Sequence, residues 1–179
     1  MTRFLNKSVG VLGGSFDPAH KGHLIISKLA IKKIKLSKIL WIVTKQNPLK
    51  GKTFYSLPQR IAKAKKLVKK TKKIQVIHMN KSIRSSRSIN VVRYLIVKKK
   101  LKNIYFIIGS DNLINFHKWK SWKKIVKLTK LIVFSRRGYD NKSKKSIVAK
   151  YLKNKITFVN NKPIIISSTN LRSQILKNY

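Results

Sequence analysis

Six short apolar runs separated by longer amphipathic stretches constrain this chain more than any other feature. The runs are Val9–Leu12, Ile39–Val43, Ile74–Ile77, Ile104–Ile108, Leu131–Phe134 and Ile156–Val159, rich in β-branched and aromatic residues. Each is too short for a helix and too uniformly apolar for a strand with one wet face, so they predict strands buried on both faces of a parallel sheet. Between them, His20 to Leu36 carries Leu24, Ser27, Ile31 and Ile34 at spacings of three and four. Ser56 to Lys70 opens with a capping-type serine, places Pro58 in its first turn and stripes Ile61, Ala64, Leu67 and Val68. These patterns predict crossover helices. Alternation over the whole length argues an α/β fold: a single-domain, doubly wound, Rossmann-like parallel sheet over residues 1–179 with helices on both faces. A chain of 179 residues can enclose one such core, and neither an internal repeat nor a Ser/Gly/Pro linker interrupts it.

Composition narrows the setting. The 44 Lys and Arg against 3 Asp and no Glu give a net charge of +41. Either a polyanionic partner such as nucleic acid uses that field, or the lysines are a compositional drift of tolerant surface positions. The absence of cysteine excludes disulfides, thiolate zinc sites and cysteine nucleophiles. The apolar runs are strand length, not membrane length, and Met1 to Lys7 has no signal-peptide core. A cytoplasmic protein with no membrane partner is expected, binding nucleic acid only non-specifically through charge.

In doubly wound sheets ligands bind beyond the carboxyl ends of the strands. The first strand runs directly into Gly13-Gly14-Ser15-Phe16-Asp17-Pro18-Ala19-His20-Lys21-Gly22-His23. Two glycines at a strand end let backbone approach a ligand, and the first turn of the next helix offers N–H groups to phosphate. The segment is neither GxxxxGK[ST] nor GxGxxG. His20 and His23, three apart, can face one point, and Gly22 between them removes a side chain that could obstruct a ligand. The pair reads as a zinc pair, as helix-surface histidines, or as two imidazoles donating to a phosphoryl group. No third zinc ligand is in view, and the adjacent glycines favour phosphoryl chemistry. Near the end of the chain, Ile164-Ile165-Ile166 leads into Ser167-Ser168-Thr169-Asn170-Leu171-Arg172. This predicts a second strand-to-helix junction, whose hydroxyls and guanidinium suit a polyphosphate or simply an ordinary N-cap with a surface arginine.

GGSFDPAHKGH together with ISSTNLR closely resembles the HxGH class of nucleotidyltransferases, and within it the bacterial nicotinate-nucleotide adenylyltransferases. Further matches follow in order at Gln46-Asn47-Pro48-Leu49-Lys50, Ile108-Gly109-Ser110-Asp111-Asn112, Phe116-His117-Lys118-Trp119-Lys120-Ser121-Trp122 and Ser135-Arg136-Arg137-Gly138-Tyr139. The resemblance implies transfer of AMP from ATP to nicotinate mononucleotide, giving nicotinate adenine dinucleotide and pyrophosphate in NAD biosynthesis, with Mg²⁺ bound along with ATP. It implies His20, His23, Lys50 and Arg172 as catalytic groups. It also implies Gly13, Gly14, Ser15, Phe16, Arg136, Ser167, Ser168 and Thr169 around ATP, with Ser168 and Thr169 capping their helix. Gly13, Ser15, Lys50, Arg87, Ser88, Gly109, Asp111 and Trp119 would hold the nicotinate nucleotide. Two departures concern the acceptor. Where the family reads Tyr-Thr-x-Asp-Thr, this chain reads Arg87-Ser88-Ile89-Asn90-Val91, and Asn80 stands for a glutamate. Either Arg87 meets the pyridine carboxylate, or the pocket prefers another acceptor such as nicotinamide mononucleotide; phosphopantetheine is the acceptor of a related branch. The rival of another class is a non-catalytic, basic nucleic-acid-binding protein, for which no RNP-like motif, zinc finger or basic heptad region is present.

Overall fold

The computed structural model describes residues 8–45, 51–79, 87–162 and 164–177. The elements run β1 (Val9–Gly14), α1 (Lys21–Ile34), β2 (Lys38–Val43), α2 (Leu57–Val68), β3 (Ile74–Ile77), α3 (Ser88–Val97), β4 (Ile104–Gly109), α4 (Ser110–Ile114), α5 (Trp122–Leu128), β5 (Lys130–Phe134), α6 (Asp140–Lys144), α7 (Ile147–Leu152), β6 (Ile156–Val159) and α8 (Ser168–Lys177). The six strands form one parallel sheet in the order β3-β2-β1-β4-β5-β6, as the alternating pattern predicted.

Strand residues alternate between two apolar cores because successive side chains point to opposite faces. Val9, Val11, Phe106, Ile108 and Val133 pack with Val92 and Leu95 of α3, Ile125 of α5 and Val148 of α7. Leu12, Trp41, Ile107 and Ile132 pack with Ala30 of α1 and Ala64 and Val68 of α2. Gly10 serves that second core: a Cβ there would lie 2.9 Å from both Leu36 and Ile39. The predicted helices hold, each a little shorter than its pattern. His20 caps α1, and Lys35 ends it in a left-handed conformation (φ 54°). Ser56 caps α2 in a reciprocal box with Gln59.

One expected strand is absent. Ile164 to Ile166 forms irregular chain, with Ile165 83% exposed; the sheet ends at β6, and Ile164 and Ile166 line the cleft instead. The sheet reverses its winding between β1 and β4. Pairing of these two strands stops at Leu12 opposite Ile107, although β1 continues to Gly14 and β4 to Gly109. Beyond that point the strands part, and a cleft opens where such sheets bind ligands.

Candidate active site

The cleft has a volume of about 470 Å³ and is lined by the freed ends of β1 and β4, the start of α1, Trp119, Ser135 and Arg136, and the segment from Ile164 to Arg172. Leaving β1, the chain turns sharply at Phe16, a non-glycine residue at φ 48°. That conformation costs on the order of 1 kcal/mol and persists because the surroundings fix it. The Phe16 ring is 2% exposed, stacks on Trp41 at 5.0 Å and reaches the His23 ring at 4.8 Å. Trp41 donates its indole N–H to Ser27 Oγ at 2.8 Å, and Ser27 donates in turn to the His23 carbonyl at 2.8 Å. The serine in the apolar stripe of α1 is thus a buried polar tie beneath the histidines.

His20 and His23 cap α1 reciprocally. Gly22 N–H donates to His20 Nδ1 at 3.1 Å, and His20 N–H donates to His23 Nδ1 at 3.2 Å. Since both Nδ1 atoms accept, each neutral ring carries its hydrogen on Nε2, on the side away from the cap. The rings lie 3.9 Å apart, and both line the cleft. Burial first, and Arg136 second, push the His20 pKa down to about 4, so at neutral pH this ring is an uncharged donor. Gly22 has a different task from the one its sequence suggests. A Cβ there would meet not an open ligand space but Ile164 Cγ2 at 2.8 Å and the His20 ring at 2.9 Å, so the glycine lets these two close in. At Gly13, by contrast, an added Cβ meets nothing within 4 Å.

Each carboxylate of the chain organises a segment of this site. Asp17 is buried and accepts from the backbone N–H of Phe54 (2.7 Å) and Tyr55 (2.9 Å), with Arg172 Nη1 at 3.8 Å. Asp111 accepts Arg136 Nη1 at 2.7 Å across the cleft. Gly109 permits that pose, since a Cβ there would come within 2.5 Å of Asp111 Oδ1. Asp140 accepts from Ser135 Oγ and from the N–H of Arg136 at 3.1 Å, fixing the turn that carries Arg136. Burial raises the Asp140 pKa, but hydrogen bonds from Ser135, Ser110 and Arg136 and the charge of Lys144 outweigh it and leave it lowered.

At the second junction the helix cap is one residue earlier than expected. Ser167 Oγ accepts from Asn170 N–H at 3.2 Å, whereas Ser168 Oγ donates to the Pro18 carbonyl at 3.0 Å and Thr169 Oγ1 accepts from Arg172 at 3.3 Å. Arg172 Nη1 also donates to the Asp17 carbonyl at 2.7 Å. The two motifs of the sequence, 150 residues apart, are therefore bonded to each other.

A family model described as cytidylyltransferase-like matches residues 11–174. The protein named "Probable nicotinate-nucleotide adenylyltransferase" of Pelagibacter ubique is 48% identical over 165 residues, 92% of this chain and 91% of that relative. This chain belongs to the nicotinate-nucleotide adenylyltransferase family. A relative of the same name from Agrobacterium fabrum is 35% identical over 131 residues, 73% of this chain and 70% of its own. Among solved structures, Plasmodium falciparum nicotinic acid mononucleotide adenylyltransferase complexed with NaAD matches with a TM-score of 0.75 over 93% of this chain and 83% of its own; at 18% identity the likeness is one of fold.

In this member of the adenylyltransferase family the cleft gathers Gly13, Gly14, Ser15, Phe16, His20, His23, Gly109, Asp111, Trp119, Arg136, Ser167, Ser168, Thr169 and Arg172. Trp119 is steadied there by stacking on Phe116 at 4.7 Å. Arg87 and Ser88 stand at the start of α3 and are not among the lining residues. Lys50 and Asn80 lie outside the described residues. Sequence reasoning missed Arg60, Trp41 and Asp140. For Asp140 a signal existed: it is one of only three acids in the chain.

Proposed function

We propose that this member of the family transfers AMP from ATP to nicotinate mononucleotide, releasing pyrophosphate and forming nicotinate adenine dinucleotide. The observation that carries the reading is the reciprocal histidine cap, which sets two Nε2–H donors side by side at the glycine end of β1, in a cleft that also holds Arg136 and Arg172. The names of the relatives agree with it. An oxygen of the acceptor phosphate, already anionic, attacks the α-phosphorus; the bond to the α–β bridging oxygen breaks, and its electron pair leaves with pyrophosphate. No general base is required, so catalysis reduces to positioning and to stabilising charge on the α-phosphate and leaving group.

His20 and His23 donate to phosphate oxygens, the backbone of Gly13 to Phe16 holds the nucleotides, and Arg136, Arg172 and the Ser167–Thr169 turn receive the triphosphate. Gly109, Asp111 and Trp119 flank the acceptor, with Arg87, Ser88 and Lys50 assigned to it on family resemblance alone. Mg²⁺ enters as part of the ATP substrate. Among the described residues no group of three or more His, Cys, Asp or Glu is placed to hold a metal, and Asp17 and Asp111 are engaged by N–H donors. That donor set suits an ion carried by phosphate oxygens and water. We place the reaction in the cytoplasm; among the described residues no helix is long and apolar enough to cross a membrane. Non-specific association with nucleic acid accompanies the charge and is separate from turnover.

The test is pyrophosphate release from ATP and Mg²⁺ with nicotinate mononucleotide, nicotinamide mononucleotide or phosphopantetheine offered in parallel. Turnover with the nicotinate acceptor is expected. Preference for the amide would shift the acceptor and implicate Arg87, and silence with all three would sink the reading.

A further inference from the structure

Arg60 lies on the face of α2 that packs on the sheet and is 1% exposed, in a stripe continued by Ala64 and Val68. A guanidinium so enclosed survives only if its N–H groups are matched. Among the described residues its hydrogen-bond partners are all backbone carbonyls: Nη1 donates to Ser15 at 2.6 Å and Thr44 at 2.8 Å, Nη2 to Lys45 at 2.8 Å, and Nε to Tyr55 at 3.2 Å. These belong to three segments, the turn leaving β1, the chain just past β2 and the loop entering α2. The loop held at Tyr55 in turn holds the Asp17 carboxylate through its own N–H groups, and the Asp17 carbonyl receives Arg172 at 2.7 Å. Lysine cannot replace this grip, because one ammonium nitrogen cannot serve carbonyls reached by three nitrogens of a planar fork.

We infer that Arg60 is a positioning residue for adenylyl transfer: its fork fixes the Ser15–Asp17 turn and, through Tyr55 and Asp17, the guanidinium of Arg172. The inference rests on the function proposed above. It is tested by kcat and by KM for each substrate in Arg60→Lys, Arg60→Gln and Arg172→Ala, and in each of the first two combined with the third. A thermal melt of every variant shows whether it folds.

Arg60→Lys should lower kcat about 10²-fold and raise KM for ATP and, because the Ser15 turn is shared by both nucleotides, KM for the mononucleotide as well. In the double variant the losses should overlap, leaving it no more than about 3-fold below Arg172→Ala alone. A normal kcat in folded Arg60→Lys, or losses that multiply with those of Arg172→Ala, would overturn the inference. Should Arg60→Lys fail to melt cooperatively, Arg60→Gln, which keeps two N–H donors for the carbonyls, is measured in its place; overlap with Arg172→Ala supports the relay and multiplication overturns it. A wild-type protein that releases no pyrophosphate would strike the proposed function instead. The relay would then be read from binding of α,β-methylene ATP, which Arg60→Lys should weaken about 10-fold without adding to the loss in Arg172→Ala; unchanged binding would refute it.

Discussion

Replacing Gly22 by alanine sets two effects of one methyl group against each other. Gly22 sits in the first turn of α1, where alanine is favoured over glycine by about 0.5–1 kcal/mol on intrinsic grounds. The same Cβ would fall 2.8 Å from Ile164 Cγ2 and 2.9 Å from Cε1 and Nδ1 of His20. Comfortable contact begins at about 3.5–4.0 Å, so the neighbours must retreat by roughly 0.6–1.2 Å. Ile164 lies in irregular chain and can yield. The His20 ring can yield only by loosening the 3.1 Å bond from the N–H of residue 22 that orients it. A misplacement near 1 Å costs about 10²-fold in rate, or about 2.7 kcal/mol of transition-state stabilisation. The expected result is a melting temperature within about 4 °C of wild type and a kcat down about 10²-fold. Pyrophosphate-coupled kinetics and a thermal melt on the same sample decide it. Adding Ile164→Ala relieves only the isoleucine side and should leave kcat low. Wild-type kcat in Gly22→Ala would refute the claim that this glycine exists to place His20, and recovery in the double variant would transfer the constraint to Ile164.

His20→Asn preserves a capping side chain but removes the Nε2–H donor, so turnover should fall by about 10²–10³-fold with little change in melting, and a variant retaining most of its turnover would count against the assigned role. Because the folded-state pKa of His20 is lowered from 6.5 to about 4, the unfolded chain binds the proton first as pH falls between those values, and stability drops through that window. At pH 5.5 the loss attributable to this ring is about 1 kcal/mol. It should vanish in His20→Asn; equal pH slopes for the two proteins between pH 7 and 5 would exclude it. The net charge of +41 predicts a melting temperature that rises as phosphate or moderate salt is added, screening over about 10 Å at 0.1 M, and a flat or falling response would show that self-repulsion does not limit stability.

The sheet was legible because parallel strands are buried on both faces and therefore read as unbroken apolar runs. What hydrophobicity could not show is that β1 and β4 run on to Gly14 and Gly109, since the glycines that open the cleft carry no apolar signal. Ile164 to Ile166 misled in the opposite direction. Three isoleucines look locally like a strand, but pairing is a property of neighbours, and the sheet ends at β6. The histidine pair and the Arg172 helix were visible as motifs, while the bond between Arg172 and the Asp17 carbonyl, which makes them one site, depends on tertiary folding. Arg60 was hidden as one more cation in a lysine-rich helix. Its clue was chemical type: lysine supplies most of the charge, whereas the sparse arginines include Arg60, Arg136 and Arg172, each placed where a planar fork meets oxygen atoms.

The tethered carboxylates also determine where negative charge stands on this molecule. Its side chains include only three aspartates and four histidines, against 44 lysines and arginines. Two of those histidines rest on the backbone carbonyls of Val43 and Ile114. The other two, with all three aspartates, form or brace the cleft walls. Most proteins spread their carboxylates over the whole surface. Here every negative side chain is gathered at the walls of one pocket, and the field of the exterior is set by lysine and arginine alone.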